Sequence, residues 1–206
     1  MRRACIAIGS FAPPVAALTV LVAGFVTPGY DPIARTVSRL AVPGAPAALA
    51  TDLAIALAGL ACVAVAVQVC TARAAMVAAG AGFLVAAAIH LDPASAPATW
   101  SHRAASGIAV LGLTAAPLAL WRRYGRVLLV LGIAEVAMLA LALALLATPF
   151  TAWGAWERVL LFLALTALVI IARRIPSTDE APSPSEVTHS SAGTYTPVAS
   201  VNSAKP

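Results

Sequence analysis

The chain has 206 residues, of which 61% are hydrophobic and 10% charged, with a formal net charge of +5. Water-soluble domains carry about 25% charged residues, so this chain has too little polar surface to coat a soluble core and reads as an integral membrane protein. Its basic residues sit at the edges of apolar blocks, which argues for orientation in a bilayer and against nucleic acid as a partner.

Six blocks are apolar enough to cross a hydrocarbon core of ~30 Å, or nearly long enough, since crossing takes about 20 helical residues. They are residues 4–26, 50–70, 74–91, 103–121, 127–148 and 157–172. The third and sixth are short, so they must stand upright or extend into their flanks. None alternates with the period of a barrel strand. The first follows Met1-Arg2-Arg3 as a signal peptide would, but its apolar run exceeds the roughly 7–15 residues of a signal core. No small-x-small site precedes Gly29, so it reads as an uncleaved first helix.

GYDPIARTVSRLAVPGAP, residues 29–46, separates the first two blocks. Asp31-Pro32 has the form of an N-cap followed by Pro at the first helical position, and Pro43-Gly44 is a stop signal. Ile33, Val37, Leu40 and Ala41 fall on one helical face, and Asp31, Arg35, Ser38 and Arg39 on another. The pattern predicts a short amphipathic helix over 31–42, too charged to cross, lying along the outer interface as a lid over the bundle mouth.

Farther along, Asp52 stands near the head of the second block, His90 and Asp92 end the third in HLDP, and His102 and Arg103 open the fourth in WSHR. Glu135, in the fifth, lies roughly 13 Å below Arg126 at ~1.5 Å per residue, close to the bilayer middle. A charged carboxylate there costs on the order of 2.5–3.5 kcal/mol, so the expectation is a protonated or paired side chain. Thr114 and Thr166 should lie at similar depth and could share a hydrogen bond with it. Interhelical glue is the plain reading of Glu135 and a proton relay the sharper one. Glu157 and Arg158 open the sixth block, where Arg158 begins an apolar run and calls for a carboxylate such as Glu157, Asp31 or Asp52. Gly59, Gly80, Gly82, Gly107 and Gly112 suit close helix approach. The three Cys lie in or beside apolar blocks and form no disulfide framework. Residues 175–206 are rich in Pro, Ser and Thr without apolar periodicity, which predicts a disordered cytoplasmic tail with His189 solvated in it.

Topology follows from the basic residues. With the N-terminus in the cytoplasm, Arg2, Arg3, Arg73, Arg122, Arg123, Arg126, Arg173, Arg174 and Lys205 fall inside, and Arg35, Arg39, Arg103 and Arg158 outside. That asymmetry places both termini in the cytoplasm of a plasma-membrane protein.

TVSRLAVPGAP after the first span, WSHR at the head of the fourth and GAWERVLLF at the head of the sixth together resemble a prokaryotic membrane family, domain of unknown function 998. The resemblance covers about residues 4–174 and implies a multi-pass membrane protein without an assigned activity.

Two site readings stand beside each other. At the outer mouth Asp31, Arg35, Arg39, Asp52, His102, Arg103, Glu157 and Arg158 form a polar pocket for a lipid head group or small polar ligand, or else ordinary charged helix ends reaching water. His90, Asp92 and His102 could supply metal ligands, although their spacing matches no signature. No phosphate loop, dinucleotide fingerprint or nucleophile elbow is present, and no resident cofactor is expected. The leading expectation is an all-α, six-helix transmembrane bundle, non-enzymatic, with membrane lipids as partners. A metal-assisted lipid hydrolase and a proton-coupled transporter using Glu135 are the alternatives.

Overall fold

A computed structural model describes residues 1–176. Its helices are α1 (Arg2–Val26), α2 (Ala48–Ala66), α3 (Arg73–Ala88), α4 (Ala96–Tyr124), α5 (Arg126–Leu145) and α6 (Trp153–Arg173), with one 3-10 turn at Val37–Arg39. No strand occurs among the described residues. The tail expected over 175–206, including His189, lies from residue 177 onward outside them.

Five of the helices have the length and apolarity to cross a membrane. The exception, α3, has 16 residues and rises only about 24 Å. The short sixth block extends into its flank, one of the two outcomes expected for it, because Trp153–Trp156 are already helical and the element, α6, reaches 21 residues. α4 starts at Ala96 because Ser95 caps it, Oγ accepting from the Ala98 N–H at 3.4 Å, with Pro97 in the first turn. His102 and Arg103 therefore sit inside the helix, not at its head.

α2 packs between α1 and α3, α3 lies on α4, and α6 closes the bundle by touching α1, α2, α4 and α5. In lipid no hydrophobic force drives apolar helices together, so close packing of small residues must do it. The buried core is accordingly rich in alanine, with Ala61, Ala79, Ala109 and Ala116 around Leu113, Leu168 and Ile171. A Cβ on Gly82 would lie 2.6 Å from the Ala105 carbonyl oxygen, and one on Gly112 2.5 Å from that of Ala75, so α3 and α4 meet backbone to backbone. Gly59 and Gly80 do the same between α2 and α3, each 3.0 Å or less from the other's carbonyl oxygen. Gly107, expected to share this role, faces open space. The outward surface is apolar, with Phe11, Leu53, Leu111, Val130 and Leu143 exposed as befits contact with acyl chains.

The segment between α1 and α2 departs from expectation. The amphipathic helix predicted over 31–42 is a series of turns around the single 3-10 turn Val37–Arg39. Helical hydrogen bonding loses here to other partners for the same backbone groups. Asp31 Oδ1 accepts from the Ile33 and Ala34 N–H groups at 2.8 and 3.2 Å, and α6 takes several of the rest. The apolar positions still turn inward, leaving Val37 4%, Leu40 1% and Ala41 1% exposed, while Ile33 stays out at 61%. The segment is a cap folded into the bundle end.

Candidate functional site

Two clamps hold this cap, one on α6 and one on α4. On α6, Gly154 lets the first turn press against the segment, since a Cβ there would strike the Arg35 carbonyl oxygen. The Ala155 N–H donates to the Ile33 carbonyl at 2.9 Å. Arg158 Nη1 donates to the carbonyls of Pro32 (2.7 Å), Gly154 (2.9 Å) and, more weakly, Arg35 (3.2 Å). Its Nη2 donates to Tyr30 Oη at 2.9 Å. Tyr30 Oη in turn lies 2.8 Å from the carbonyl oxygens of both Arg35 and Thr36. Burial pushes the Tyr30 phenol above its ordinary range, against the pull of the Arg158 hydrogen bond and charge, so it stays a donor. Glu157 Oε2 accepts the Val37 N–H at 2.6 Å. The two terminal nitrogens of Arg158 are thus held by carbonyl dipoles and the Tyr30 hydroxyl, its buried Nε is without a partner, and no carboxylate pairs with it among the described residues. This corrects the expectation of an acidic partner, which assumed that only a charge could compensate the guanidinium.

On α4, His102 is 2% exposed. Its Nδ1 lies 2.7 Å from the Ile89 carbonyl oxygen and 3.0 Å from that of Ala86, and Nε2 lies 2.9 Å from Ser38 Oγ. Carbonyl oxygens only accept, so Nδ1 carries a hydrogen. These are carbonyls that the end of α3 leaves without helical partners. One imidazole therefore ties α3, α4 and the cap together.

Between the two clamps opens a cleft of about 1070 Å³. Arg35, Ser38 and Arg39 line it from the cap, His102, Arg103 and Ser106 from α4, and Trp153 and Glu157 from α6. The guanidinium groups of Arg35, Arg39 and Arg103 form no hydrogen bond or ion pair with the described residues, and Arg103 only overlies the Trp100 ring, 5.9 Å from its centroid.

The structure thus brings together Arg35, Arg39, His102, Arg103 and Glu157 of the expected pocket and leaves out three others. Asp31 caps the turn that follows it. Asp52 Oδ2 lies 2.7 Å from His90 Nε2. Arg158 is locked under the cap and lines a separate apolar groove of about 390 Å³ between α1, α2 and α6. The alternative ligand set does not converge either. His90 faces Asp52, Asp92 Oδ1 accepts the Ala94 N–H at 2.8 Å, and His102 is enclosed by carbonyls and Ser38. Among the described residues no group of three His, Cys, Asp or Glu could hold a metal ion.

Tyr30, Ser106 and Trp153 escaped sequence reasoning, although helical spacing carried part of the signal. Ser106 is three residues from Arg103 on α4, and Trp153 four from Glu157 on α6, so each shares a face with a residue already singled out. Tyr30 carried none, because its role depends on a residue 128 positions away.

Glu135 is fully buried on α5. Thr114 of α4 is its polar neighbour, but the geometry stops short of a hydrogen bond, and both carboxyl oxygens and the Thr114 hydroxyl are without partners. Thr166 is no partner, since its hydroxyl donates to the Phe162 carbonyl of its own helix at 2.7 Å.

Compared with known families, residues 10–174 match the sequence model described as "Protein of unknown function (DUF998)". No curated protein and no solved structure matches the chain.

Proposed function

The chain belongs to the DUF998 family, and from that premise we propose a membrane protein whose cleft binds an anionic lipid head group or small polar ligand. The observation that carries this reading is the trio Arg35, Arg39 and Arg103, which line one cavity without counter-ions among the described residues. Arginine is suited to such a role, because its planar fork of donors matches carboxylate and phosphate oxygens. The protein sits in the plasma membrane with both termini in the cytoplasm and the cleft outward. Support for that orientation comes from eight Arg at the end opposite the cleft (Arg2, Arg3, Arg73, Arg122, Arg123, Arg126, Arg173 and Arg174), where the described residues include no Asp or Glu. His90, Asp92 and His102, the residues expected to hold a metal, bond elsewhere, which favours the binding reading over a metal-assisted hydrolase. Glu135 does not line the cleft.

The test is native mass spectrometry of the full chain after gentle detergent extraction. Wild type should retain anionic lipid or a polar small molecule, and Arg39→Gln with Arg103→Gln should lose it. Unchanged retention in that double variant would end the proposal.

A further inference from the structure

The end of the bundle that holds the cleft carries four Arg and four acidic residues: Arg35, Arg39, Arg103 and Arg158 against Asp31, Asp52, Asp92 and Glu157. By count it is neutral. The contacts sort these charges unevenly. Asp31 and Asp92 accept backbone N–H groups of their own turns, Asp52 faces His90, and Glu157 accepts the Val37 N–H. Each acid is thus occupied by the fold, and three of the four lie off the cleft wall. Arg158 is likewise occupied by carbonyl oxygens. What remains facing the cavity is three guanidinium groups and one carboxyl, a surplus of two positive charges when His102 is neutral and Glu157 ionised, and of three when Glu157 is protonated.

We infer that the cleft recognises a doubly charged phosphate, a phosphomonoester or terminal diphosphate, and this rests on the reading of the cleft as an anion site. A carboxylate or phosphodiester brings one negative charge and leaves a guanidinium uncompensated beside the other two. A phosphomonoester brings about −1.5 to −2 at neutral pH with three strong acceptor oxygens, which matches the surplus with Glu157 ionised and the number of arginines. Ser106, on the same face of α4 as Arg103, adds a hydroxyl donor. The cavity is far larger than a phosphate alone, at about 1070 Å³, so the group arrives on a larger body. That body is a lipid from the surrounding bilayer or a soluble phosphate ester; the phosphate chemistry is common to both.

The experiment measures binding to the full chain in nanodiscs or detergent at fixed ionic strength, near neutral pH. The probes are phosphatidic acid (a monoester), phosphatidylglycerol (a diester), phosphatidylcholine and inorganic phosphate. Phosphatidic acid should bind about tenfold tighter than phosphatidylglycerol, the order expected of one added charge contact in a partly solvated site. Phosphatidylcholine should bind weakest. Arg39→Gln with Arg103→Gln should remove the preference while size-exclusion profile and thermal stability stay as in wild type, since both side chains are exposed. Displacement of phosphatidic acid by millimolar inorganic phosphate would assign recognition to the phosphate itself and admit soluble esters. Lack of displacement, with the preference intact, would assign it to lipid-borne phosphate.

Equal binding of the two anionic lipids, lost in the arginine variant, would overturn this inference and leave the anion site standing. A monoester preference that survives the variant, or no binding of any probe, would overturn both.

Discussion

Arg158 should be the residue on which the cap most depends. Arg158→Met keeps much of the apolar stem and removes bonds of 2.7, 2.9 and 2.9 Å to Pro32, Gly154 and Tyr30, together with the 3.2 Å contact to Arg35. Hydrogen bonds to a charged group contribute about 1.5–3 kcal/mol each, but these share one guanidinium, so their effects do not add. The variant strands neutral acceptors and not a charge, and leaving a buried polar group without its donor costs about 1–3 kcal/mol; with several carbonyls affected at this partly buried side chain, the loss comes to about 3 kcal/mol. In a chain of this size each kcal/mol lowers the Tm by about 2–4 °C, which gives a drop of roughly 6–12 °C in detergent by scanning fluorimetry. Trypsin provides an independent readout, because Arg35 and Arg39 are exposed cleavage sites in the cap. Cleavage there should accelerate about a hundredfold, the factor corresponding to nearly 3 kcal/mol of easier local opening. Arg158→Lys should recover less than half of the loss, since a single ammonium cannot span the sites that the fork reaches. A Tm within about 2 °C of wild type, with unchanged trypsin sensitivity at Arg35 and Arg39, would refute the reasoning, the former margin being no more than the shift from about 1 kcal/mol.

Further consequences follow from the same contacts. Gly154→Ala should destabilise the cap through the clash with Arg35, whereas Gly107→Ala should stabilise α4 by about 0.8–1 kcal/mol through helix propensity alone; paired thermal melts decide both, and equal responses would contradict the packing. His102→Phe should cost about 1–3 kcal/mol by leaving the Ala86 and Ile89 carbonyls without a donor, and hydrogen exchange at the end of α3 should rise with it. Glu135→Leu should be neutral or stabilising by up to about 3 kcal/mol, because it removes a buried carboxyl that has no hydrogen-bond partner; a Tm loss of several degrees would mean that the carboxyl holds α5 in place. For Tyr30, the raised folded pKa means its contribution is complete below the unfolded value of about 10 and is lost as pH climbs through the higher folded value. Tyr30→Phe should therefore flatten the alkaline limb of the stability profile, and an unaltered limb would assign that limb to other groups.

The departures between pattern and fold share one cause. Within residues 29–46, the apolar positions Val37, Leu40 and Ala41 are those that face inward, yet the helix drawn through them does not form. Periodicity reports which side chains avoid water, but it is silent on distant groups that compete for backbone N–H and carbonyl partners. Here those groups are Glu157 and Arg158, more than a hundred residues away. The acidic partner expected for Arg158 failed for the same reason, because carbonyl oxygens carry no signal in a sequence. Among the glycines, spacing marked Gly82 and Gly107 alike, and only the direction each faces distinguishes a crossing point from an open surface.

Membrane residence and the six-helix bundle were therefore written in the sequence, because lipid selects on properties summed along one dimension: the length of an apolar run and the basic residues at its ends. Which of four arginines would be buried under the cap and which three would be left facing a cavity could not be read that way. Those outcomes depend on where the heads of α4 and α6 meet the cap, so only three-dimensional contact decides them.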